Sequence, residues 1–249
     1  MKSRLNENGY IDLHSHILFD VDDGAADRLT SVKMLEMAYR DGIRMMIATP
    51  HYHPVRCLAT KEQIRKNYLE LCEIVEKLHP DMQILLGREV LYTTGIEEQL
   101  ENSRDLNLNE SEYVLVEFSA GDSFQQIRSG LNNILLSGNI PVLAHVERYP
   151  NVAIDWQQVI ELHELGVVIQ ANAASIMGEF GWKAKRFTRR LLKERLIDIV
   201  ATDAHSTGKR APLISQCVSY IDKRYGSAYA TKVSVTNPYK IILNEYLED

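Results

Sequence analysis

Tyr10-Ile11-Asp12-Leu13-His14-Ser15-His16 begins as a short apolar strand and ends in two histidines. Alternate residues of an extended chain share a side, so Asp12, His14 and His16 are expected to face one way. One histidine at a strand end is commonly a satisfied polar group. Two of them beside a carboxylate need a shared partner, and a metal ion is the natural one. The same arrangement, an apolar run closed by histidine or carboxylate, returns at Ala48-Thr49-Pro50-His51, Gly87-Arg88-Glu89, Val116-Glu117, Ala144-His145 and Thr202-Asp203-Ala204-His205.

The runs themselves, at 10–13, 45–48, 83–86, 113–117, 141–144, 167–170 and 198–201, are mainly apolar, as parallel strands covered on both faces must be. Between them, 30–40, 60–78, 123–136, 156–165 and 183–196 carry helical periodicity, several opening on a Ser, Thr or Asp cap. Two further helices are expected at 214–225 and 238–246. Seven strand–helix units in 249 residues predict an α/β fold in one domain, 1–249, with the sheet rolled into a closed or nearly closed barrel. The histidines and carboxylates then collect at the C-terminal ends of the strands, where such barrels build their active sites.

Composition narrows the function. With 45% hydrophobic and 25% charged residues the chain can bury a large core. A net charge of −6 argues against wrapping nucleic acid. Cys57, Cys72 and Cys217 form no C-x-x-C pair, which argues against a thiolate metal site and a disulfide framework and points to the cytoplasm. Neither an apolar leader nor a run of roughly 18 apolar residues is present, so membrane insertion is not expected. Oligomeric state is left open.

Asp20-Val21-Asp22-Asp23-Gly24 looks at first like a calcium loop, but the twelfth position from Asp20 is Ser31, where an EF-hand needs a bidentate Glu. The stretch is either a solvated acidic turn or a loop from which Asp23 reaches the histidines. The candidate ligands are then His14, His16, His51, His145 and His205 with Asp23, Glu89, Glu117 and Asp203. Nine are too many for one four-coordinate zinc, so two or three divalent ions are implied, and nitrogen and oxygen donors without thiolate suit manganese, iron or zinc. Clustered divalent ions activate water, orient the substrate and neutralise charge on attacking and leaving oxygens, which suits phosphoester hydrolysis. Guanidiniums would clamp the phosphoryl oxygens, and Arg148 and Arg210, each a few residues after a candidate ligand, are either those clamps or surface arginines.

Other hydrolytic patterns fail. The position six residues after each cysteine holds Gln63, Leu78 or Lys223, not the arginine of a cysteine phosphatase loop. After His163-Glu164 the second histidine of H-E-x-x-H would fall on Val167, and neither a G-x-S-x-G elbow around Ser119 or Ser123 nor a Walker loop occurs. His53, His79 and His163 are assigned to ordinary loop, helix-end and helix-face positions.

In order, DLHSH, VDDG, ATPH, GREV, VEFS, AHVERY and ATDAH resemble the polymerase and histidinol phosphatase (PHP) superfamily, and within it the capsular-polysaccharide tyrosine phosphatases. The likeness runs from Ile11 to Asn237-Pro238. It implies a distorted (β/α)7 barrel of PHP type and a metal centre, manganese first with iron or zinc as alternatives. It implies hydrolysis of phosphotyrosine on a bacterial tyrosine autokinase that controls capsule or exopolysaccharide synthesis, by in-line attack of metal-activated hydroxide. Position by position it places ligands on the same nine residues, with Glu89 bridging two ions, and assigns Arg148 and Arg210 to the phosphate and His205 to assistance of the leaving phenolate. The alternative is a small-molecule phosphatase of histidinol-phosphate type. The stretch after His51, 52–57, varies in such proteins and is expected to line the substrate entrance.

Residues 183–195 hold seven basic side chains and one acidic, with Phe187, Leu191 and Leu192 as an apolar stripe. They read either as a solvated amphipathic helix or as a dock for an acidic or phosphorylated tail, testable by charge reversal at Arg186, Arg189 and Arg190.

Overall fold

A computed structural model describes residues 9–53, 57 and 59–247. Among the described residues nine strands follow one another: β1 (Tyr10–Ser15), β2 (Ile43–Ala48), β3 (His51–Tyr52), β4 (Gln83–Leu86), β5 (Glu89–Leu91), β6 (Tyr113–Glu117), β7 (Ile140–Leu143), β8 (Val168–Asn172) and β9 (Ile199–Ala201). All pairings between them are parallel, in the orders β1-β2-β4 and β3-β5-β6-β7-β8-β9. The two strands beyond the expected set, β3 and β5, prolong β2 and β4 past short interruptions. Pro50 has no N–H to give the ladder, which breaks β2 from β3. Across the gap, Gly87 N donates to Ala48 O (2.9 Å) and Glu89 N to Pro50 O (3.3 Å).

The sheet curls until its first strand meets the segment after its last. Asp203 N donates to His14 O and His16 N to Ala204 O, both at 2.8 Å, and Ser15 bridges Ala204 in parallel. Asp12 reinforces the seam by accepting from Thr202 N (2.9 Å) and Thr202 Oγ1 (2.5 Å). Its carboxylate is used there, so it does not join His14 and His16 as strict alternation suggested. The β1–β2 register shifts between Asp12 and Ser15.

Inside the curl lies an apolar plug of Ile11, Leu13, Ile47, Leu115, Val142 and Ile199. Outside it pack helices α1 (Arg28–Asp41), α2 (Lys61–Leu78), α3 (Ile96–Asn102), α4 (Phe124–Leu136), α5 (Pro150–Ala153), α6 (Gln157–Glu164), α7 (Ala173–Met177), α8 (Trp182–Lys193), α9 (Ser215–Tyr225) and α10 (Ser227–Thr231), while α11 (Asn237–Ile242) packs Ile241 and Ile242 against the plug itself. Thr60 and Ser123 cap α2 and α4 as expected, Ser123 in a reciprocal box with Gln126. α1 starts earlier than expected because Asp27 Oδ1 accepts from Thr30 N. The last helix ends at Ile242, short of Tyr246, and Asn244 just beyond it has φ 58°. No described helix is long and apolar enough to cross a membrane.

Candidate active site

The end of β1 presents His14 and His16 with their Nε2 atoms 3.3 Å apart, both rings fully buried. Each ring is held from behind. His14 Nδ1 lies 3.2 Å from Gln170 Oε1, and His16 Nδ1 lies 2.7 Å from Asp22 Oδ2. Asp22 also accepts from His51 N (3.0 Å) and Gly24 N (3.0 Å), so one carboxylate ties the acidic loop to two histidine segments.

Glu89, at the start of β5, stands in the middle. Its Oε1 is 3.3 Å from His14 Nε2 and 2.8 Å from His145 Nε2; its Oε2 is 3.2 Å from His16 Nε2 and 3.0 Å from His51 Nδ1. Glu117, the last residue of β6, lies 3.3 Å from His51 Nδ1 and 3.9 Å from His145 Nε2. Arg88 fixes the chain entering β3, donating to Pro50 O (2.9 Å) and His51 O (2.6 Å).

On the opposite side Asp203 Oδ1 lies 3.4 Å from His14 Nε2 and 3.5 Å from His205 Nδ1. Asp23, half-exposed, spans His51 Nε2 (3.2 Å) and His205 Nε2 (3.5 Å). Both arginines reach Asp203: Arg148 Nη2 donates to Oδ2 at 2.6 Å and Arg210 Nη2 to Oδ1 at 2.7 Å. His145 and Asp203 adopt φ 35° and 52°, a left-handed backbone that non-glycine residues keep only where the surroundings enforce it. Gln170 Oε1 accepts from His145 N (2.7 Å), and the His14 carbonyl holds Asp203 N.

The nine candidate ligands and both arginines thus converge, and the acidic stretch after Asp20 is not merely a solvated turn. The rings assigned elsewhere have ordinary partners: His79 meets Glu36 Oε1 at 2.8 Å and stacks on Tyr39, and His163 meets Asp198 Oδ1 at 3.2 Å. The His53 ring faces His51 edge-on at 6.2 Å. Residues 54–56 of the expected entrance loop lie outside the described residues.

Concentrated carboxylates dominate the electrostatics. Burial opposes charging of His16, but Asp22 and Glu89 overcome it and raise its pKa to about 9. Burial likewise opposes charge on His51, yet the carboxylates of Asp23, Glu117 and Glu89 beside its ring carry it to about 12. His205 goes the other way, down to about 4, because burial and the neighbouring His16 charge outweigh Asp23 and Asp203. Despite burial, Glu89 is held well below the usual carboxylate range by His14, His145 and His16, and Asp203 is lowered by His14 and Arg148.

Three sets of donor atoms each fall within 4.8 Å of one another: His14, His16 and Glu89; His51, Glu89 and Glu117; and His16, Asp23, His51 and His205. Both ring nitrogens of His51, and Nδ1 of His145, are buried with no hydrogen bond of acceptable geometry, although the His51 nitrogens sit beside carboxylates. Oxygen and imidazole donors converging this way without satisfying one another fit divalent cations among them.

Asp22, Gln170 and Asn172 were not anticipated. Gln170 Nε2 donates to Asn172 Oδ1 and Asn172 Nδ2 to Asp203 Oδ2, both at 2.9 Å, an amide relay behind three of the ligands. Extending the expected strand at 167–170 by two residues, Ala171 and Asn172, would have placed the two amides on one face.

Known proteins resemble the chain over nearly its whole length. The family described as capsular polysaccharide synthesis, CpsB/CapC, matches residues 10–243. The tyrosine-protein phosphatase CpsB of Streptococcus pneumoniae is 38% identical over 242 residues, spanning 95% of this chain and 100% of the relative. The tyrosine-protein phosphatase YwqE of Bacillus subtilis (strain 168) is 32% identical over 217 residues, 87% of this chain and 85% of the relative. Among solved structures, a chain from the work on YwqE of Bacillus subtilis and CpsB of Streptococcus pneumoniae, described there as unique metal-dependent tyrosine phosphatases, superimposes with a TM-score of 0.87 at 32% identity, covering 96% of each chain. Fold and cluster define a class of α/β proteins that gather a histidine and carboxylate metal centre on a curled parallel sheet. Within that class, the chain belongs to the CpsB/CapC family.

Proposed function

We infer that the site runs the chemistry of this family: the chain is a metal-dependent protein-tyrosine phosphatase, a phosphoric monoester hydrolase. Its end-to-end relatives are named tyrosine phosphatases, which sets aside the histidinol-phosphate alternative. Counting β2 with β3 and β4 with β5 as continuous lines supports reading the chain as a (β/α)7 barrel of PHP type, proposed as one domain over 1–249 with its active site at the C-terminal strand ends. The observation that carries the reading is Glu89, whose two oxygens face four imidazoles while Arg148 and Arg210 converge on Asp203 beside them.

His14, His16, Asp23, His51, Glu89, Glu117, His145, Asp203 and His205 would hold two or three divalent ions, manganese first, and Glu89, whose oxygens face four imidazoles, would be shared between them. When bound, the ions supply the Lewis acidity that makes a water nucleophilic near neutral pH and offsets phosphoryl charge. Asp22 and Gln170 keep the His16 and His14 rings aimed inward. Arg148 and Arg210 bind the equatorial phosphoryl oxygens, their planar forks suiting bidentate contact. His205 is a ligand first, its pKa low in the metal-free cluster, with assistance to the leaving phenolate as its second role. A tyrosine phenolate, with a pKa of about 10, leaves with little proton assistance.

The substrate is a phosphotyrosine protein, specifically a cytoplasmic bacterial tyrosine autokinase of capsule or exopolysaccharide synthesis. The test is turnover of a phosphotyrosine peptide by chelator-stripped protein, with manganese, iron, zinc or magnesium restored in parallel and histidinol phosphate as comparison. Metal-restored peptide turnover is expected. Silence on the peptide with metal demonstrably bound would overturn the reading.

A further inference from the structure

Beyond the nine ligands and two arginines, the feature that stands out is the helix beside Arg148. α8 packs on the 3-10 turn Val146–Arg148, and the Arg148 guanidinium sits 5.6 Å from the centre of the Phe180 ring, two residues before α8 begins. Phe180 is 38% exposed and Trp182 66%. An aromatic rim therefore joins the proposed phosphate-binding arginine directly to the start of α8.

From that rim one face of α8 runs outward. Phe187, Leu191 and Leu192 are buried, while Trp182, Lys183, Arg186, Arg190 and Lys193 are exposed at helical spacing. Arg189 does not belong to this face: its Nε donates to Ile176 O at 3.2 Å and its guanidinium lies 4.2 Å from the Tyr220 ring centre, so it is a packing residue. Arg190 pairs with Glu194 at 3.2 Å and lies 4.5 Å from the Trp156 ring centre but, unlike Arg189, is exposed, so it closes the far end of a stripe that, in a chain of net charge −6, is a local field of opposite sign.

Resting on the tyrosine phosphatase reading, we propose that Phe180 and the Trp182, Lys183, Arg186 and Arg190 face of α8 form a docking track for acidic sequence flanking the phosphotyrosine. Lys183 to Arg190 spans about 10 Å at about 1.5 Å per helical residue. An extended peptide rising about 3.3 Å per residue covers that with about three residues, so one to three acidic side chains next to the phosphotyrosine meet the cations in turn. The track's origin at Arg148 favours a peptide over an anionic lipid surface, because what lies on it is delivered to the site. Exposed ion pairs are individually worth up to about fivefold and are screened by salt.

The test uses full-length, metal-loaded protein and two synthetic phosphotyrosine peptides, one flanked by glutamates and one by glutamines. Binding is read by fluorescence anisotropy and turnover in parallel. We expect the acidic peptide to bind about tenfold more tightly at low salt, and the advantage to shrink as salt rises. K183E/R186E/R190E removes the advantage, raises KM for the acidic peptide alone, and leaves kcat and p-nitrophenyl phosphate turnover unchanged. K183Q/R186Q gives an intermediate loss and guards against misfolding of the reversal variant. Equal Kd for the two peptides in the unmodified protein overturns the docking proposal, whatever the turnover shows. So does a reversal variant that loses binding to phosphatidylserine vesicles but keeps the peptide preference. Absence of turnover with the anisotropy preference intact would sink the phosphatase reading and leave the acidic-peptide track standing.

Discussion

Asp22 stands behind His16: its Oδ2 lies 2.7 Å from His16 Nδ1, on the far side of the ring from Glu89, and its side chain is fully buried. A carboxylate in that position fixes the ring's orientation and raises its basicity as a ligand. Asp22→Ala is therefore expected to lower manganese affinity about 10- to 100-fold with the far-ultraviolet circular dichroism unchanged. Metal titration of the stripped variant checks this, and an unaltered affinity would remove Asp22 from the site's support.

Gly24 makes a second demand on the same loop. A Cβ there would fall 2.2 Å from His16 O and 2.5 Å from His16 Cβ, so alanine forces the loop off β1. Overpacking of this kind costs about 1–3 kcal/mol. For a chain of this length that is a melting shift of a few degrees, about 2–4 °C per kcal/mol. Gly24→Ala should show that shift together with reduced metal content. Gly121→Ala, where a Cβ meets nothing within 4 Å, should show neither.

These two residues also show where sequence reasoning stopped. The strand ends were legible because an apolar run closed by histidine or glutamate leaves few other uses for the charged group, and Thr60 and Ser123 were legible as caps by their chemistry. Asp22 and Asp23 are adjacent and identical, and only the turn decides that one backs His16 while the other spans His51 and His205. Gln170 and Asn172 are neutral amides that advertise nothing until the curl brings Asp203 beside them. Short helices such as α5 and α10, of four and five residues, never complete enough turns for periodicity to register.

Arg148 and Arg210 are expected to fail in kcat more than in metal binding. Each leans on one oxygen of Asp203, with Arg210 Nε buried and unpaired. Replacing either by alanine should lower kcat about 10²- to 10³-fold, the scale for removing one donor aimed at developing charge. Lysine should recover little, since a point charge cannot reproduce the guanidinium fork. Metal analysis separates the roles: if Arg148→Ala loses metal in proportion to activity, the arginine positions Asp203 and does not bind phosphate.

Metal loading should release protons and strengthen with pH. In the metal-free protein His16 titrates at about 9 and His51 at about 12, so both rings are protonated near neutrality and offset part of the charge of Glu89, Asp22 and Asp23. An imidazole must be deprotonated to coordinate, so each ring pays by shedding its proton when metal binds. Below the raised pKa the protonated form competes with metal, and affinity rises about tenfold per pH unit for each proton displaced. Between about pH 6 and 9 both rings contribute to that slope; above about 9 the His16 share fades while that of His51 persists. Calorimetric titration of stripped protein with manganese, in buffers of different ionisation enthalpy, counts the protons directly. At least two should appear at neutral pH, His14 adding to them because Glu89 and Asp203 raise its pKa against burial, and His16→Ala should remove one. A buffer-independent enthalpy would mean that the rings are already neutral, and that the carboxylate cluster is balanced by something other than His16 and His51.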